Sequence, residues 1–422
     1  MEGCLIDVQK PDRFVDTESQ ELARLRAELS AADPLLELLP PSAKVYCVGG
    51  AVRDGLLGNA SVDRDFVVIG ATPESMVKAG FKPVGSDFPV FLHPVTHNEY
   101  ALARTERKTG SGYKGFVFNA DPSVSLEEDL MRRDLTVNAI ALSRGGELID
   151  PFHGISDLRA GLLRHIGPAF AEDPVRVLRL ARFAARWPEV EVAAETLVLC
   201  RSMVDQGEVT ALVAERVWQE LAKGLVESSP SRMIHVLQSC HAWQELHPRL
   251  ASVSKATCHA LDRAAMLRAP LDVAYALLIH NTEGSPQPAD VFKAPKSCID
   301  LAQQVLAKSD TVERVITMMD HSPRQSVAPI FDWLMGCDVQ RRYDRFDLML
   351  TVFALEGRLS EAHHQRLRDL GSWLTTEQAN QAAAQAAEEA LHDGRSNVGG
   401  AVAVAVREAR FALFRTHPLF KA

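Results

Sequence analysis

The chain reads Val-Gly-Gly-Ala-Val-Arg-Asp at residues 48–54 and Ser-Val-Asp-Arg-Asp-Phe-Val-Val-Ile at residues 61–69. Side chains two residues apart on a strand point to the same face, so Asp63 and Asp65 are predicted to share one face where an acidic strand over residues 64–69 begins. Two carboxylates in that arrangement suit Mg²⁺ that also holds the phosphates of a substrate. A glycine pair that opens a helix adds backbone N–H donors for those phosphates. Together the two stretches predict phosphoryl or nucleotidyl transfer.

Each stretch alone has a simpler explanation. An Asp-x-Asp pair is usually a solvated loop or strand edge, and a Gly-Gly pair before a helix is mostly turn chemistry, because glycine tolerates positive φ. Their order favours the functional interpretation: a strand over residues 44–48, the glycine turn, a helix over residues 51–57 and then the acidic strand. This order brings a phosphate cradle and metal ligands to one edge of a small sheet.

Length and composition indicate the broad class. The 422 residues exceed one typical core and predict two to four domains. A formal net charge of −9 argues against general polyanion binding, so any nucleic-acid contact needs local basic patches. The seven cysteines are scattered without a Cys-x-x-Cys pair, which predicts reduced thiols. No apolar run reaches about 18 residues and no signal pattern is visible, so we expect a cytoplasmic protein with no membrane partner.

The hydrophobic pattern predicts an α+β architecture in four segments. Residues 1–43 form an acidic extension with leucines at helical spacing, which we expect to be a packing arm or a floppy segment. Residues 44–166 alternate short strands and helices and predict a small mixed sheet. Residues 167–228 and 229–422 show helical spacing and predict helices throughout. The predicted strands are Lys44–Val48, Arg64–Ile69, Val90–Pro94, Glu99–Ala103 and Glu147–Ile149, and the predicted helices beside them are Ala51–Leu57, Pro73–Ala79 and Leu126–Arg132.

A second cluster reads Leu-Glu-Glu-Asp-Leu-Met-Arg-Arg-Asp-Leu-Thr-Val-Asn-Ala at residues 126–139. It puts two adjacent guanidinium groups where a helix should meet the sheet. Arginine binds phosphate or sugar oxygens in two-pronged geometry, so Arg133 is a candidate for gripping a triphosphate or a ribose opposite the metal edge. The alternative is a surface network of arginine and aspartate, the usual fate of such charge runs.

A third cluster reads Glu-Asp-Pro-Val-Arg-Val-Leu-Arg-Leu-Ala-Arg-Phe at residues 172–183. Asp173 is a good N-cap and Pro174 suits the first helical position, so the helix start is well defined. Three arginines follow at steps of three: Arg176, Arg179 and Arg182. A carboxylate and a guanidinium one turn apart carry the acceptor and donors needed to hydrogen-bond the pairing edge of a base without a template. The alternative is a capped basic helix with intrahelical salt bridges.

Residues 104–115 read Arg-Thr-Glu-Arg-Lys-Thr-Gly-Ser-Gly-Tyr-Lys-Gly. Glycines at this density predict a mobile loop, and such loops close over bound substrates. A disordered hairpin tip explains the same composition, and the sequence does not separate the two.

Taken in order, the motifs at residues 49–54, 63–65, 132–139 and 172–176 resemble the head and neck motifs of class II CCA-adding enzymes, the tRNA nucleotidyltransferases. The match continues through Asp-Phe-Pro-Val-Phe-Leu at residues 87–92, which resembles the bacterial subgroup that includes the multifunctional CCA proteins. The resemblance implies a nucleotidyltransferase-fold head followed by an all-helical neck, body and tail. It also implies template-independent addition of CCA to the 3′ end of tRNA from CTP and ATP.

The resemblance assigns roles to residues of the first two motifs. Asp63 and Asp65 would bind two Mg²⁺ ions, one lowering the pKa of the tRNA 3′-hydroxyl and one neutralising the triphosphate as pyrophosphate leaves. Gly50 and Arg53 would contact the incoming CTP or ATP, and Arg133 would contact its sugar or phosphates.

The resemblance places base recognition in the third cluster. Asp173 and Arg176 would read the base, while Arg179 and Arg182 would support that reading or hold phosphates. The stretch 106–121 would help the change from adding C to adding A. The implied partner is tRNA, recognised by the shape of its acceptor stem, and no DNA partner is expected.

Two alternatives remain open at this point. Bacterial poly(A) polymerases share the head, but they tend to carry an arginine-rich run where this chain reads Val-Gly-Ser-Asp-Phe-Pro at residues 84–89. A non-catalytic RNA-binding protein on the same fold is the second alternative, and the intact Asp63, Asp65 and Arg176 argue against it.

The chain departs from the multifunctional members in one respect. Their C-terminal phosphohydrolase domain holds a divalent ion with a His-Asp pair and further histidines, and the comparable stretch here has His280 followed by Asn281. Neutral asparagine is a much weaker ligand than a carboxylate, and the adjacent His363 and His364 would point apart on a helix. We therefore predict a degenerate phosphohydrolase region without phosphodiesterase or phosphatase activity.

Overall fold

A computed structural model of the chain describes residues 19–61, 63–84, 90–108, 116–119, 121–246, 253–280, 291–392 and 398–421. The chain divides into two compact units, the first made of Met1–Val217 with His235–Leu246 and the second of Trp218–Ile234 with His247–Ala422. The four-segment division inferred from the sequence remains a prediction.

A mixed sheet forms the centre of the first unit. The strands are β1 Lys44–Val48, β2 Asp65–Ile69, β3 Lys82–Val84, β4 Val90–Leu92, β5 Glu99–Leu102, β6 Thr105–Lys108, β7 Phe116–Asn119, β8 Ala141–Ser143, β9 Leu148–Ile149, β10 Leu162–Leu163 and β11 Glu191–Val192. The sheet has the order β3-β4-β5-β2-β1-β8-β9, with β2 and β5 parallel and the other neighbours antiparallel. The pairs β6 with β7 and β10 with β11 lie outside it. The predicted mixed sheet is confirmed, and β3 and β8 are additions to it.

A short strand lies in the part of the chain that was predicted to be helical throughout. Glu191–Val192 pairs in parallel with Leu162–Leu163, so that prediction is wrong at these two residues. The preceding helix ends where Trp187 adopts an extended backbone, with φ −126° and ψ 83°, because a following proline disfavours the helical conformation. The alternating Val-Glu-Val after Pro188 then suits a strand.

Helices make up most of the remaining described chain. In chain order they are α1 Gln20–Ser30, α2 Pro34–Glu37, α3 Gly50–Leu56, α4 Pro73–Ala79, α5 Leu126–Met131, α6 Gly154–Ala160, α7 Val175–Arg186, α8 Ala194–Asp205, α9 Ala214–Leu225, α10 Pro230–Ser239, α11 Ala242–Leu246, α12 Lys255–Met266, α13 Leu271–His280, α14 Lys296–His321, α15 Val327–Met335, α16 Tyr343–Leu355, α17 Glu361–Trp373, α18 Glu377–His392 and α19 Val398–Phe414. Short 3-10 helices lie at Thr136–Asn138, Pro168–Glu172, Val291–Lys293 and Pro418–Phe420.

The helix α1 packs on the head as an arm. Leu22, Leu25 and Leu29 are buried in the same apolar cluster as Phe66 and Tyr100 of the sheet. Of the two roles expected for the N-terminal extension, the packing arm is confirmed for α1. Residues 1–18 of that extension lie outside the described residues.

The central strands send alternate side chains into two apolar clusters. Phe66 and Val68 join the cluster that contains α1, whereas Val67 and Val48 join a second cluster with Leu130 of α5. Both faces of β1 and β2 are therefore covered. This double packing gives the end of β1 a rigid foundation.

The second unit is helical in its described residues. Its most apolar element is α13, in which residues 273–279 are all buried, and α13 packs against α12, α14 and α16. A helix that is apolar all round belongs in a core. No helix in the described parts of the chain combines the length and apolar character that crossing a bilayer needs.

The cysteines share one environment. Those in the described residues are buried and unbonded: Cys47, Cys200, Cys240, Cys258, Cys298 and Cys337. Burial raises the pKa of their thiols, to about 12 for Cys47, Cys298 and Cys337. Burial of these six cysteines agrees with the buried thiols expected from the sequence, their reduced state stays a prediction, and Cys4 lies outside the described residues.

Candidate active site

The acidic pair lies at the edge of the sheet where β1 ends. Asp65 is opposite Val48 of β1 on one side and opposite Glu99 of β5 on the other. Asp63 lies in the loop before β2, and both carboxylates are exposed. The prediction that the strand carries both aspartates is wrong for Asp63, because β1 ends at Val48, opposite Asp65. The same register brings the glycine turn that follows Val48 beside the Asp65 carboxylate.

The glycine turn has a backbone conformation that suits glycine. Gly49 has φ 70° and ψ −128°, and Gly50 is the first residue of α3. A Cβ atom on Gly49 would lie 3.2 Å from Nη1 of Arg133. The guanidinium of Arg133 therefore lies directly against the turn, as its predicted role requires.

Asp63, Asp65 and Arg133 form one electrostatic group. Burial raises the pKa of the Asp65 carboxyl, the charge of Arg133 lowers it, and the neighbouring Asp63 raises it further. The net direction is upward. An anionic pair of this kind favours a nearby cation, and its oxygen atoms are the donors that Mg²⁺ prefers.

The two adjacent arginines of the second cluster are oriented by a buried carboxylate. Asp129 of α5 accepts a hydrogen bond from Nη2 of Arg132 at 2.7 Å and one from Nη2 of Arg133 at 3.3 Å. Burial alone would raise the pKa of Asp129, but the two guanidinium groups lower it overall. The network of arginine and aspartate that was the alternative interpretation of this cluster is thus present in part. Its Asp129 holds Arg133 against the glycine turn.

Arg53 is buried beside the glycine turn, and its Nη2 would lie 3.6 Å from a Cβ atom on Gly50. Its side chain donates from Nε to Oδ1 of Asp54 at 3.0 Å and from Nη1 to Oδ1 of Asn138. Its guanidinium carbon lies 4.8 Å from the ring centroid of Trp187 and 5.3 Å from that of Phe183. Only 3% of the Arg53 surface is exposed, and these contacts stabilise the first turn of α3.

Asp134 joins the head to the helix α7. It accepts from the amide of Asn138 at 2.9 Å and from Nε of Arg179 at 2.8 Å. Burial raises the pKa of the Asp134 carboxyl, but Arg179 and hydrogen bonds from Asn138 and the Leu135 N–H outweigh it and lower the pKa to about 2. Arg179 is therefore fixed by a permanently charged partner.

The start of α7 differs by one residue from the prediction. The helix begins at Val175, and Asp173 still caps it by accepting from the Val175 N–H at 3.2 Å. Asp173 also pairs with Arg216 at 2.9 Å. Arg176 is largely buried and donates to the carbonyl oxygens of Ala169 at 2.7 Å and Arg132 at 2.5 Å. Its fork braces the backbone in this conformation.

Aromatic rings cover one face of α7. The rings of Phe183 and Trp187 are stacked, with centroids 5.4 Å apart and planes 10° apart. Arg182 lies with its guanidinium carbon 4.6 Å from the Phe183 centroid. The contacts that hold the basic row of α7 thus include backbone carbonyls for Arg176, Asp134 for Arg179 and the Phe183 ring for Arg182.

The nine predicted site residues fall into three groups. Gly50, Asp63, Asp65 and Arg133 gather at the sheet edge. Arg53 and Arg179 are joined to each other through Asn138 and Asp134, whereas Asp173, Arg176 and Arg182 belong to the α7 region. Sequence reasoning did not single out four residues of the linking network, although all but the last lie inside quoted motifs: Asp54, Asp134, Asn138 and Arg186. For Asp54, Asp134 and Asn138 the available signal is a polar residue inside a quoted motif, whereas Arg186 has no such signal.

Comparison with known proteins agrees with this geometry. The family model described as the Poly A polymerase head domain matches residues 45–164, which contain the glycine turn, the acidic pair and Arg133. Fold and site therefore define a nucleotidyltransferase. The multifunctional CCA protein of Methylobacillus flagellatus is 48% identical over 351 residues, covering 75% of this chain and 84% of that protein. The CCA-adding enzyme of Bordetella bronchiseptica is 48% identical over 336 residues, covering 80% and 87%. The chain belongs to the class II CCA-adding enzymes.

Solved structures agree in fold. The CCA-adding enzyme of Bacillus stearothermophilus in complex with CTP has a TM-score of 0.65 at 24% identity, covering 88% of this chain and 89% of that one. The Thermotoga maritima CCA-adding enzyme complexed with tRNA has a TM-score of 0.60 at 20% identity, covering 94% and 93%. These matches extend well beyond the head domain.

Proposed function

We propose that this chain completes and repairs the 3′ end of tRNA by adding CCA from CTP and ATP. The observation that carries the proposal is the meeting of Asp63, Asp65, Arg133 and the Gly49 turn at one edge of the sheet. In the reaction, the tRNA 3′-oxygen bonds to the α-phosphorus of the nucleotide and the bond to the β-phosphate oxygen breaks, releasing pyrophosphate. The reactants and product are those of the family, and a cytoplasmic location fits them.

The residues present fit two Mg²⁺ ions. Asp63 and Asp65 offer carboxylate oxygens at the sheet edge, and the pKa of Asp65 is raised mainly by burial and further by the neighbouring Asp63 carboxylate. Few protein ligands suffice, because Mg²⁺ is usually bound by one or two carboxylates and by the phosphates of the substrate. When bound, the ions would activate the attacking hydroxyl and neutralise charge on the triphosphate.

The nucleotide would be held between the glycine turn and Arg133. Backbone N–H groups at Gly50 and the start of α3 would donate to the phosphates, as helix N-termini do. Arg133, aligned by Asp129, adds a fixed positive charge for the phosphates or the ribose. Arg53 takes part from inside the protein by fixing α3, since its guanidinium is already bound to Asp54 and Asn138.

Base recognition is assigned to the first turn of α7. Asp173 offers an acceptor, with about a quarter of its side chain exposed, and Arg176 offers paired donors one turn away. For Arg176 to read a base, it must exchange its carbonyl partners for the ligand. Arg179 and Arg182 support this turn from the same helix.

Phosphohydrolase activity is proposed to be absent. Both ring nitrogens of His280 are engaged: Nδ1 lies 2.6 Å from Oε1 of Glu356, and Nε2 lies 2.8 Å from Oγ of Ser309. His363 contacts Asp320, whereas His364 lies on the same helix near a different aspartate. A metal ion at His280 would have to displace one of these two partners from the ring, because coordination needs a free ring nitrogen. Asn281 lies outside the described residues.

The test is incorporation of labelled CTP and ATP into three tRNAs, ending before the first C, after C and after CC. Wild-type protein with Mg²⁺ is expected to add C, C and A in order. Asp63→Asn and Asp65→Asn keep the side-chain volume and remove the charge, so each should lower incorporation by about a thousandfold or more. Glu74→Gln, which changes an exposed carboxylate in α4 of the same unit, is the control and should retain activity.

The outcomes separate the alternatives. Long runs of A on any RNA would support a poly(A) polymerase. Binding of tRNA without incorporation of either nucleotide would support the non-catalytic alternative. Release of phosphate from p-nitrophenyl phosphate with Mg²⁺, Mn²⁺ or Ni²⁺ would contradict the proposed loss of phosphohydrolase activity.

A further inference from the structure

A network of charged and polar groups joins α3, which carries the proposed phosphate site, to α7, which carries the proposed base-reading residues. Its inner members are buried: Arg53, Asp54, Asp134 and Asn138. Asp54 of α3 is 5% exposed and accepts from Nη2 of Arg186 at 3.0 Å, while its other oxygen accepts from Arg53. The second link runs from Arg53 through Asn138 and Asp134 to Arg179. Both links end on α7.

The two ends of the network lie on one face of α7. Arg179 and Arg186 are seven residues apart, which is close to two helical turns, so their side chains project in nearly the same direction. Between them the stacked rings of Phe183 and Trp187 lie against the guanidinium of Arg53. The contact between α3 and α7 therefore has a charged link at each end and an aromatic surface in the middle.

Such a contact favours one position of α7 relative to α3 over others. Breaking one partner of a buried ion pair leaves a charge without compensation, so the network as a whole strongly disfavours sliding or tilting of α7. Apolar packing alone would tolerate small shifts more readily. The residues that make the links are remote in sequence, with Asp54 and Arg186 separated by 132 positions.

This arrangement matters for choosing a nucleotide. In the proposed function, the phosphates would lie at the start of α3 and the base at the first turn of α7, and the ribose would join those two parts of one ligand at a fixed distance. A small displacement of α7 relative to α3 moves the base-reading groups away from the pairing edge, while the phosphates stay in place.

We propose that Asp54, Asn138 and Arg186 are positioning residues that set the selection between CTP and ATP by fixing α7 against α3. This inference rests on the proposed function. The three residues act through α3 and α7, and none of them is assigned a contact with the nucleotide or the metal ions.

The test compares Asp54→Asn, Arg186→Gln, the double variant and Arg186→Lys. For each, kcat/KM is measured for CTP and for ATP on tRNA lacking CCA and on tRNA ending in CC. The ratio of correct to incorrect nucleotide is expected to fall at least tenfold in either single variant. The double variant should be no worse than the poorer single one, because each single change breaks the same link. Arg186→Lys keeps the charge and should recover part of the ratio.

Two readouts separate positioning from a merely structural role. The Mg²⁺ concentration for half-maximal activity should not change, since the acidic edge is untouched. Arg358→Gln is the matched control: this arginine of the second unit donates to Glu313 at 2.5 Å, and its loss should lower thermal stability without changing the nucleotide ratio.

The failures are distinguishable. If wild-type protein incorporates neither nucleotide, the proposed function fails. If wild-type protein is active and Arg186→Gln lowers kcat/KM equally for CTP and ATP at both tRNA ends, the positioning inference is overturned. Should Asp54→Asn not fold, the Gln and Lys variants at the partly exposed Arg186 decide the question.

Discussion

Among single residues, Gly49 has the backbone conformation in the site that most requires glycine. Its φ of 70° and ψ of −128° lie in a region that side chains with a Cβ rarely adopt, and Arg133 fills the space beside it. The turn and the arginine therefore depend on each other. Sequence reasoning identified the glycine pair, but assigned the nucleotide contact to Gly50 and did not predict that Arg133 lies against Gly49.

Gly49→Ala is expected to weaken nucleotide binding more than it weakens the fold. The new Cβ would strain the backbone by about 1–3 kcal/mol and push Arg133 away from the phosphate site. The KM values for CTP and ATP should both rise, while urea denaturation should show only a modest fall in the free energy of unfolding. Gly357→Ala is the control, because Gly357 also has a positive φ, 78°, with no atom within 4 Å of the added Cβ. A KM unchanged in Gly49→Ala would argue against a phosphate-binding turn.

Asp134 makes a pH-dependent contribution to stability. Its pKa in the folded state is lowered to about 2, below the value of an unfolded aspartate, so the stabilisation is complete above about pH 4 and is lost as the pH falls toward 2. The shift corresponds to about 2 kcal/mol. Asp134→Asn should therefore lower the urea midpoint at pH 6, and its difference from wild type should shrink below pH 4. A constant difference across that range would contradict the assigned charge.

Among the helices and strands, the predicted bounds match the structure best where the residues that determine them lie within the segment itself. The strand Lys44–Val48 and the helix Pro73–Ala79 match their predicted bounds. The helix is bounded by a capping box at Thr72 and by Gly80 with φ 104°, all within the segment itself. The strand β8 was not predicted, because three residues carry no periodicity and its pairing with β1 comes from a distant segment.

The sequence predicts which residues belong to the site, but it does not predict which of them contact each other. The acidic pair, the glycines and the arginines are visible as motifs, so their chemistry can be inferred. Which group binds which is set by tertiary packing: Arg53 and Asn138 are 85 positions apart. The resemblance assigned Arg53 to the nucleotide, which stays a prediction, but it did not indicate that Asp54, Asn138 and two aromatic rings surround this guanidinium.

The helix α7 depends on Arg176 for its anchoring. The planar guanidinium donates to the carbonyls of Ala169 and Arg132, and lysine has no such fork. Arg176→Lys should lower the free energy of unfolding by about 2 kcal/mol in urea denaturation. Arg201→Lys is the control, since Arg201 is exposed and donates to the carbonyl of Ser239, and its loss should cost about 0.5 kcal/mol or less. Equal effects of the two substitutions would exclude the anchoring role.

For the chain as a whole, the proposed metal ions serve chemistry rather than folding. The carboxylates of Asp63 and Asp65 are exposed at the sheet edge, while the apolar clusters on both faces of the sheet hold the head together. A ligand present at a few times its Kd adds only about 1 kcal/mol of stability.

Removal of divalent ions with EDTA should therefore abolish incorporation and barely change thermal unfolding. Added Mg²⁺ should restore activity in full, and Ca²⁺ is a useful comparison because it takes more ligands at longer distances. Asp63→Asn serves as the control, since its melting temperature should not respond to EDTA. A large fall in the melting temperature of wild type would show that a metal ion holds the structure instead.

The six buried thiols have a practical consequence. Burial raises the pKa of these cysteines, and the neutral thiol is a poor nucleophile, so an alkylating reagent attacks them only when the surrounding core opens. Cys47 in the central strand and Cys298 in α14 belong to different compact units. The rate at which each is alkylated therefore reports how often its own unit opens, one residue at a time and without any added probe.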